Sequence, residues 1–272
     1  MQPSGIISLT TDFGLTDPYV GQMKGALLRR NPAARPVDLT HAIPRQDILG
    51  AAIVLHSSYA FFPSGTVHLV VVDPGVGSRR RILATEGDGH YFVAPDNGIF
   101  TLLLRDQLLG RVYQVEKEEL FAEAVSSTFH GRDIMAPVAA ELSGGLRLTA
   151  VGPELSPASC IYLDLPAVHV SARRMTGQVL QIDHFGNIRT TIRREDLEHF
   201  ADYQQRDQHI QVRFNGQVIP TVNSTYAEAE PGESVALIDS AGYLEIAVNM
   251  GSAAERTRCR VGDPVYIDYS PE

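Results

Sequence analysis

Only two cysteines occur in the 272 residues, Cys160 and Cys259. They lie far apart and in no Cys-x-x-Cys pair, which argues against a disulfide framework or a structural zinc site. A reducing, cytoplasmic setting is the natural expectation. Basic residues are scarce: 23 Lys and Arg stand against 32 Asp and Glu, for a formal net charge of −9. A general nucleic-acid binder would carry a basic face, so no nucleic-acid partner is expected. A neutral or cationic ligand suits the charge better. No run approaches the length needed to cross a bilayer. Met1-Gln2-Pro3-Ser4-Gly5 has neither the basic start nor the apolar stretch of a leader, so no membrane partner is expected. Gly-x-x-x-x-Gly-Lys and Gly-x-Gly-x-x-Gly are missing, as are His-Glu-x-x-His and Gly-x-Ser-x-Gly. That removes the nucleotide P-loop, the dinucleotide fingerprint, the zinc-protease helix and the serine-hydrolase elbow.

What is present is organised around residues 67–81. Val67 to Val72 is an apolar, β-branched run, the pattern of a strand buried on both faces. It stops at Asp73-Pro74, where Pro74 has no N–H to continue a ladder and Gly75 and Gly77 permit sharp turns. A carboxylate thus stands at the carboxyl end of a central strand, with Arg79, Arg80 and Arg81 beyond it. Ligands bind at such ends in open α/β sheets. A plain turn with a solvated basic end is the competing reading.

Around this stretch the pattern predicts strands over 6–10 and 37–39 and helices over 19–30 and from Asp47 to about Phe62. This β-α-β-α-β order implies right-handed crossovers and a largely parallel sheet. Gly87-Asp88-Gly89 signals a hairpin between strands 82–85 and 91–94. A short helix over 99–105 and a strand over 111–115 follow. Residues 126–133 read as a loop and 134–142 as a helix closed by Gly144-Gly145. Pro153, Pro157 and Pro166 mark a linker or domain edge. Beyond it the pattern is mostly strand: 177–182, 188–192, 210–214, 217–221, 234–238, 244–248 and 264–269, with a hairpin signal at Asn215-Gly216. The expectation is α/β: an N-terminal α/β domain over residues 1–160 with a largely parallel central sheet, and a C-terminal all-β, barrel-like domain over 161–272. A carboxylate-rich cleft between the two is where ligand chemistry is expected.

Five turn-rich stretches border element ends. Asp12 is either a helix N-cap or a ligand carboxylate able to take both hydroxyls of a ribose. Asp73, Arg80 and His130 can form a water-activating set: an arginine keeps a nearby carboxylate ionised, and a histidine can titrate near neutrality. The bland alternative for His130 is a satisfied loop histidine. Asp183-His184-Phe185-Gly186-Asn187 is either a turn between strands or a carboxylate, an aromatic face and an amide offered to a ligand. Asn249 to Ala254 is either a capped helix start or a set of free N–H groups.

Five segments taken together resemble the S-adenosylmethionine hydroxide adenosyltransferase family, which is related to the fluorinase and chlorinase. They are Leu9 to Gly14, Val72 to Gly77, Ser127 to Asp133, Phe185-Gly186-Asn187 and Gly242 to Ala254. They occur in order over nearly the whole chain. The resemblance implies an enzyme, an S-adenosyl-L-methionine hydrolase that forms adenosine and L-methionine by attack of activated water at the ribose C5′. It implies no cofactor and no metal, and a homotrimer with sites at subunit interfaces. The family's Asp-Arg-His set falls on Asp73, Arg80 and His130. Ribose contacts fall on Asp12 and methionine contacts on Asp183. Adenine contacts fall on Asn187, Ser240 and the backbone from Val248 to Met250, and Phe185 and Glu245 complete the substrate-binding set. The halogenase branch is disfavoured: Asp73 replaces its tyrosine, Gly131 replaces its halide-binding serine, and its long insertion between the hairpin strands is missing. Two other readings remain. A non-catalytic adenosine or S-adenosylmethionine sensor needs Asp12, Asp183 and Asn187 alone, and a nucleosidase would release free base.

Overall fold

The computed structural model describes residues 1–171, 173–203 and 210–269. It divides into two compact units, Met1–Leu163 and Asp164–Glu272.

In the first unit the strands are β1 (Ile6–Thr11), β2 (Arg35–Thr40), β3 (Val67–Val71), β4 (Ile82–Gly87), β5 (His90–Pro95), β6 (Val112–Gln114) and β7 (Glu154–Leu155). Its helices are α1 (Tyr19–Arg30), α2 (Ile48–Ser58), α3 (Thr101–Arg105) and α4 (Ala136–Ser143). The sheet order is β2-β1-β3-β5-β4-β6-β7. β2, β1, β3 and β5 run parallel, as the crossovers require, while the β4–β5 hairpin reverses direction and leaves β4, β6 and β7 antiparallel.

β3 lies inside this sheet and is buried along its length. Its side chains alternate between two cores, as a two-residue period demands. Leu69 and Val71 join Met23 and Leu27 of α1 and Val138 and Leu142 of α4. Val70 and Val72 join Ala51 and Leu55 of α2 and Leu103 of α3. Helices therefore cover both faces, and the apolar run of β3 is explained. Asp47 caps α2 as its position predicts, its Oδ1 accepting from the Gly50 N–H at 2.8 Å.

One boundary differs from the sequence expectation. Helical structure begins at Gly131, not Ile134, as a π-helical turn over Gly131–Met135 that runs into α4. Pro137 supplies part of the reason. It lacks an N–H, so the Asp133 carbonyl four residues earlier receives no bond from it. That carbonyl accepts instead from the Ala122 N–H at 2.8 Å.

The second unit contains β8 (His169–Val170), β9 (Arg174–Ile182), β10 (Ile188–Arg193), β11 (Ile210–Phe214), β12 (Gln217–Ile219), β13 (Val222–Asn223), β14 (Ser234–Ile238), β15 (Tyr243–Val248) and β16 (Pro264–Tyr269). Two helices, α5 (Arg194–Tyr203) and α6 (Ala253–Thr257), accompany them. The order is β12-β11-β16-β9-β10-β15-β14-β13, with β8 beside β9. Ser234 on β14 donates to Oε1 of Gln217 on β12 at 2.9 Å, which links the two ends of the strip and nearly closes a barrel. Inward residues such as Val179, Ile188, Ile192, Val212, Leu244 and Ile267 fill it. Asn215 and Gly216 both take positive φ (44° and 78°) between β11 and β12, the geometry of a two-residue hairpin turn. Helix α5 stands where the sequence pattern predicts no helix. Leu197 and Phe200, three residues apart on it, are buried, and the Asp196 carboxylate accepts from the Arg193 N–H at its start.

Candidate active site

The first unit gathers Asp73, Arg80 and His130 at the carboxyl end of β3. Beyond Val72 the chain folds back through two tight turns, Val76 N–H to Asp73 carbonyl and Ser78 N–H to Gly75 carbonyl. Gly77 has φ 78°, and a Cβ there would lie 2.4 Å from the Ser127 carbonyl oxygen. Only glycine lets this loop press against residues 126–130. Arg80 is thereby turned inward. Its Nε donates to Asp73 Oδ1 at 2.6 Å and its Nη2 donates to Asp73 Oδ2. Nη2 also donates to Nδ1 of His130 at 3.1 Å. The Arg80 and Asp73 side chains are 8% and 5% exposed, so the pair is desolvated and its bidentate geometry matters. Of the three consecutive arginines, Arg79 is exposed and Arg81 pairs with Asp96.

The guanidinium has no acceptor, so Nδ1 of His130 is the acceptor in this bond and the neutral ring carries its proton on Nε2. Burial, and then the adjacent Arg80 charge, hold His130 below the ordinary imidazole range, against the pull of Asp73 and Asp133. His130 is therefore neutral at neutral pH.

Asp73 and His130 border a cavity of about 290 Å³ whose lining also includes Asp12, Phe13, Gln46 and Phe129. Asp12 does not cap α1. The cap position is Pro18, with no side-chain bond. Its Oδ2 accepts instead from the Gln46 N–H at 2.8 Å. Phe13, Tyr19 and Phe129 meet edge to face, with centroids 5.6–6.0 Å apart. The Arg132 guanidinium lies 4.8 Å from the Phe129 ring centre. Asp133 closes the loop. It accepts from the Ser126 N–H at 2.9 Å and takes both Nε and Nη2 of Arg132. Burial opposes ionisation of Asp133, but these bonds outweigh it and hold its carboxyl below the usual range. Phe13, Gln46, Phe129 and Asp133 were not singled out from the sequence as site residues. Three of them lie within the turn-rich stretches, and that position was their only signal.

In the second unit Asp183 shapes its own turn. Its Oδ1 accepts from the N–H groups of Phe185 and Asn187 at 2.9 and 2.8 Å, and Oδ2 accepts from the Asn187 amide. Phe185 is left 73% exposed. Gly186 packs on Ser252, and its carbonyl accepts from the Ala254 N–H at 2.9 Å. The Asp183–Asn187 turn and the segment after β15 are thus held together. Ser252 caps α6, its side chain accepting from the Glu255 N–H at 3.1 Å. The Val248 side chain is buried, and Met250 stands 87% exposed at φ 56°. Ser240 is exposed beside Asp239, which binds Arg189. Glu245 is buried and accepts from the Tyr226 hydroxyl at 2.6 Å. Burial raises the Glu245 carboxyl, the Tyr226 bond opposes this, and Asp239 and Asp183 add to the rise. Among the described residues no three His, Cys, Asp or Glu are placed to hold a metal ion, and no helix is long and apolar enough to cross a membrane.

Comparison with known proteins gives this geometry a context. Residues 7–152 match the SAM hydroxide adenosyltransferase N-terminal domain, and residues 177–266 match the C-terminal domain of the same family. The chain is 37% identical to an (R)-S-adenosyl-L-methionine hydrolase of Salinispora tropica, over 98% of this chain and 99% of that protein. It is 39% identical to one of Thermus thermophilus, over 94% and 97%. A fluorinase of Nocardia brasiliensis is 29% identical, with 96% of each chain covered. A crystal structure of an uncharacterized conserved protein from Thermotoga maritima superposes with a TM-score of 0.87 at 37% identity, covering 96% of this chain and 99% of that one. The chain belongs to the SAM hydroxide adenosyltransferase family.

Proposed function

We propose that the protein hydrolyses S-adenosyl-L-methionine to adenosine and L-methionine by attack of water at the ribose C5′. One observation carries the reading: Asp73 and His130, both bonded to Arg80, face a cavity whose lining also includes Asp12. Nearly full-length similarity to hydrolases of this substrate supports it.

The step forms an O–C5′ bond and breaks C5′–S. The bonding pair returns to sulfur, which leaves as a neutral thioether and needs no acid. Generating the nucleophile is the demanding part. Nε and Nη2 of Arg80 are committed to Asp73 and His130, while Nη1 makes no bond to a described residue. Nη1 is the donor that holds the developing hydroxide. His130 supports it by accepting from Nη2. Its Nδ1 lone pair is thus occupied and its Nε2 protonated, so Asp73 has the spare acceptor capacity to take the water proton. A positioned base contributes roughly 10²–10⁴-fold, and alignment of water with C5′ contributes more. Asp12 serves the ribose. Asp183, Phe185, Asn187, Ser240, Glu245 and the Val248–Met250 backbone serve methionine and adenine. The working assembly is a homotrimer with sites at subunit interfaces, in the cytoplasm.

The test is incubation of the purified protein with S-adenosylmethionine in ¹⁸O-water, without halide or added metal, followed by mass spectrometry. Adenosine carrying ¹⁸O at O5′, together with methionine, is the expected product pair. Free adenine would point to a nucleosidase, and bound, unchanged substrate to a sensor.

A further inference from the structure

The loop from Asp73 to Arg81 carries Asp73 and Arg80 of the cluster, and both of its ends are held by one turn elsewhere in the chain. Asn97 donates from Nδ2 to the Val72 carbonyl at 2.9 Å, immediately before Asp73. Its Oδ1 accepts from the Ile99 N–H at 3.4 Å, which turns the amide donor toward β3. Asp96, its neighbour, holds the other end. Its Oδ2 accepts from Arg81 Nε at 2.8 Å, and its N–H donates to the Arg81 carbonyl at 3.0 Å. Oδ1 of Asp96 accepts from the Ile161 N–H at 2.8 Å, so this 3%-exposed carboxylate is fully engaged.

Sheet order explains why one dipeptide reaches both ends. β5 lies between β3 and β4. The loop joining β3 to β4 must pass over the tip of β5, and Asp96-Asn97 is that tip. In the sequence this segment reads as a bare Pro-Asp-Asn-Gly turn.

We propose that Asn97 is a positioning residue for hydrolysis. It fixes the main chain at Val72, and through it the direction of Asp73 and of the Arg80 guanidinium that Asp73 holds. It touches none of the three reacting side chains directly. The inference rests on the hydrolase reading. A displacement of about 1 Å at a reacting group can cost on the order of 10²-fold in rate.

Asn97→Asp tests this. The new side chain is isosteric and keeps the acceptor for Ile99, so the turn is retained. It loses the donor to Val72 while ionised and regains one when protonated. The nearby Asp73 charge raises the pH at which that happens. Turnover of S-adenosylmethionine is measured for both proteins from pH 8 to pH 5. At pH 8 kcat of the variant is expected to fall about 10²-fold with KM changed less than about twofold, and the deficit is expected to shrink as pH falls. A kcat within threefold of native at pH 8 overturns the proposal. So does a deficit that is constant across pH, or one that falls on KM as much as on kcat. A native protein that leaves the substrate intact overturns the hydrolase reading and this inference with it. An active native protein with an unaffected variant overturns this inference alone.

Discussion

Arg80 donates to Nδ1 of His130 at 3.1 Å while holding Asp73 through two bonds. The histidine is thus an acceptor for the arginine, and its role can be separated from that of a base. His130→Ala removes the acceptor and is expected to lower kcat by about 10²-fold with little change in KM. His130→Gln places a neutral amide oxygen near Nη2 and is expected to recover part of the loss. Equal rates for the two variants would return His130 to the role of base.

The same contact sets an acid limit. Protonated His130 can no longer accept at Nδ1, and it adds a second cation beside Arg80. Burial and Arg80 push its titration below the usual imidazole range, so activity should be held down to below about pH 6.5 and lost at more acid pH. The kcat–pH profile of native protein against His130→Gln checks this: the limb assigned to His130 disappears in the variant.

Asp73 is expected to matter for stability as well as rate. Asp73→Asn leaves the 8%-exposed Arg80 guanidinium without its counter-charge. Breaking one side of a buried pair costs on the order of 3–5 kcal/mol. Urea unfolding at pH 7 should show that loss. Wild-type stability with abolished turnover would mean that Arg80 finds another partner.

Much of this arrangement was legible in the sequence because it lies at element ends that glycine and proline mark. The Val67–Val72 run, the Asp73-Pro74 stop and the Asn215-Gly216 turn each follow from local chemistry, and each sits where that chemistry requires. The π turn at Gly131 was not legible. The Asp133 carbonyl that Pro137 leaves without a donor is satisfied by the Ala122 N–H, eleven positions earlier, and the helical pattern of 134–142 does not encode that. Helix α5 is not expected from the sequence although Leu197 and Phe200 stand at helical spacing within its ten residues. The hold of Asn97 on Val72 depends on β5 lying between β3 and β4, a property of sheet order rather than of any segment. Asp183 shows the reverse case: both readings of its turn were open, and the carboxylate proves to be committed first to the backbone of its own turn.

Gly131 gives a steric prediction. A Cβ there would lie 2.7 Å from Cγ1 of Val71, a buried core residue. Gly131→Ala should destabilise by about 1–3 kcal/mol through overpacking. The cost should be smaller in a Val71→Ala background, because the two sites touch and their effects couple. A thermodynamic double-mutant cycle measures this, and additive costs would remove Val71 as the cause. Gly131→Ser meets the same obstacle, so a serine introduced alone should impair hydrolysis without conferring halide use.

At the opposite end of β3, His68 is wholly buried. Its Nδ1 lies 2.7 Å from the Ser8 hydroxyl and its Nε2 lies 3.1 Å from Nδ1 of His90. Burial, and then the charge of His90, bring its pKa down to about 3. In the unfolded chain a histidine titrates near 6.5. Between pH 6.5 and about 3 the unfolded state therefore binds a proton that the folded state refuses, and stability falls as pH falls. Above 6.5 the effect is absent. One such group costs about 1.4 kcal/mol per pH unit across that window. Carboxylates contribute to acid unfolding too, so the informative comparison is with His68→Gln, whose amide can serve both Ser8 and His90 but does not titrate. Urea-derived stabilities at pH 6, 5 and 4 should fall less steeply in the variant, by roughly that amount per unit. Parallel curves would mean that the native interior admits the proton at His68, and the acid sensitivity would then belong to the carboxylates.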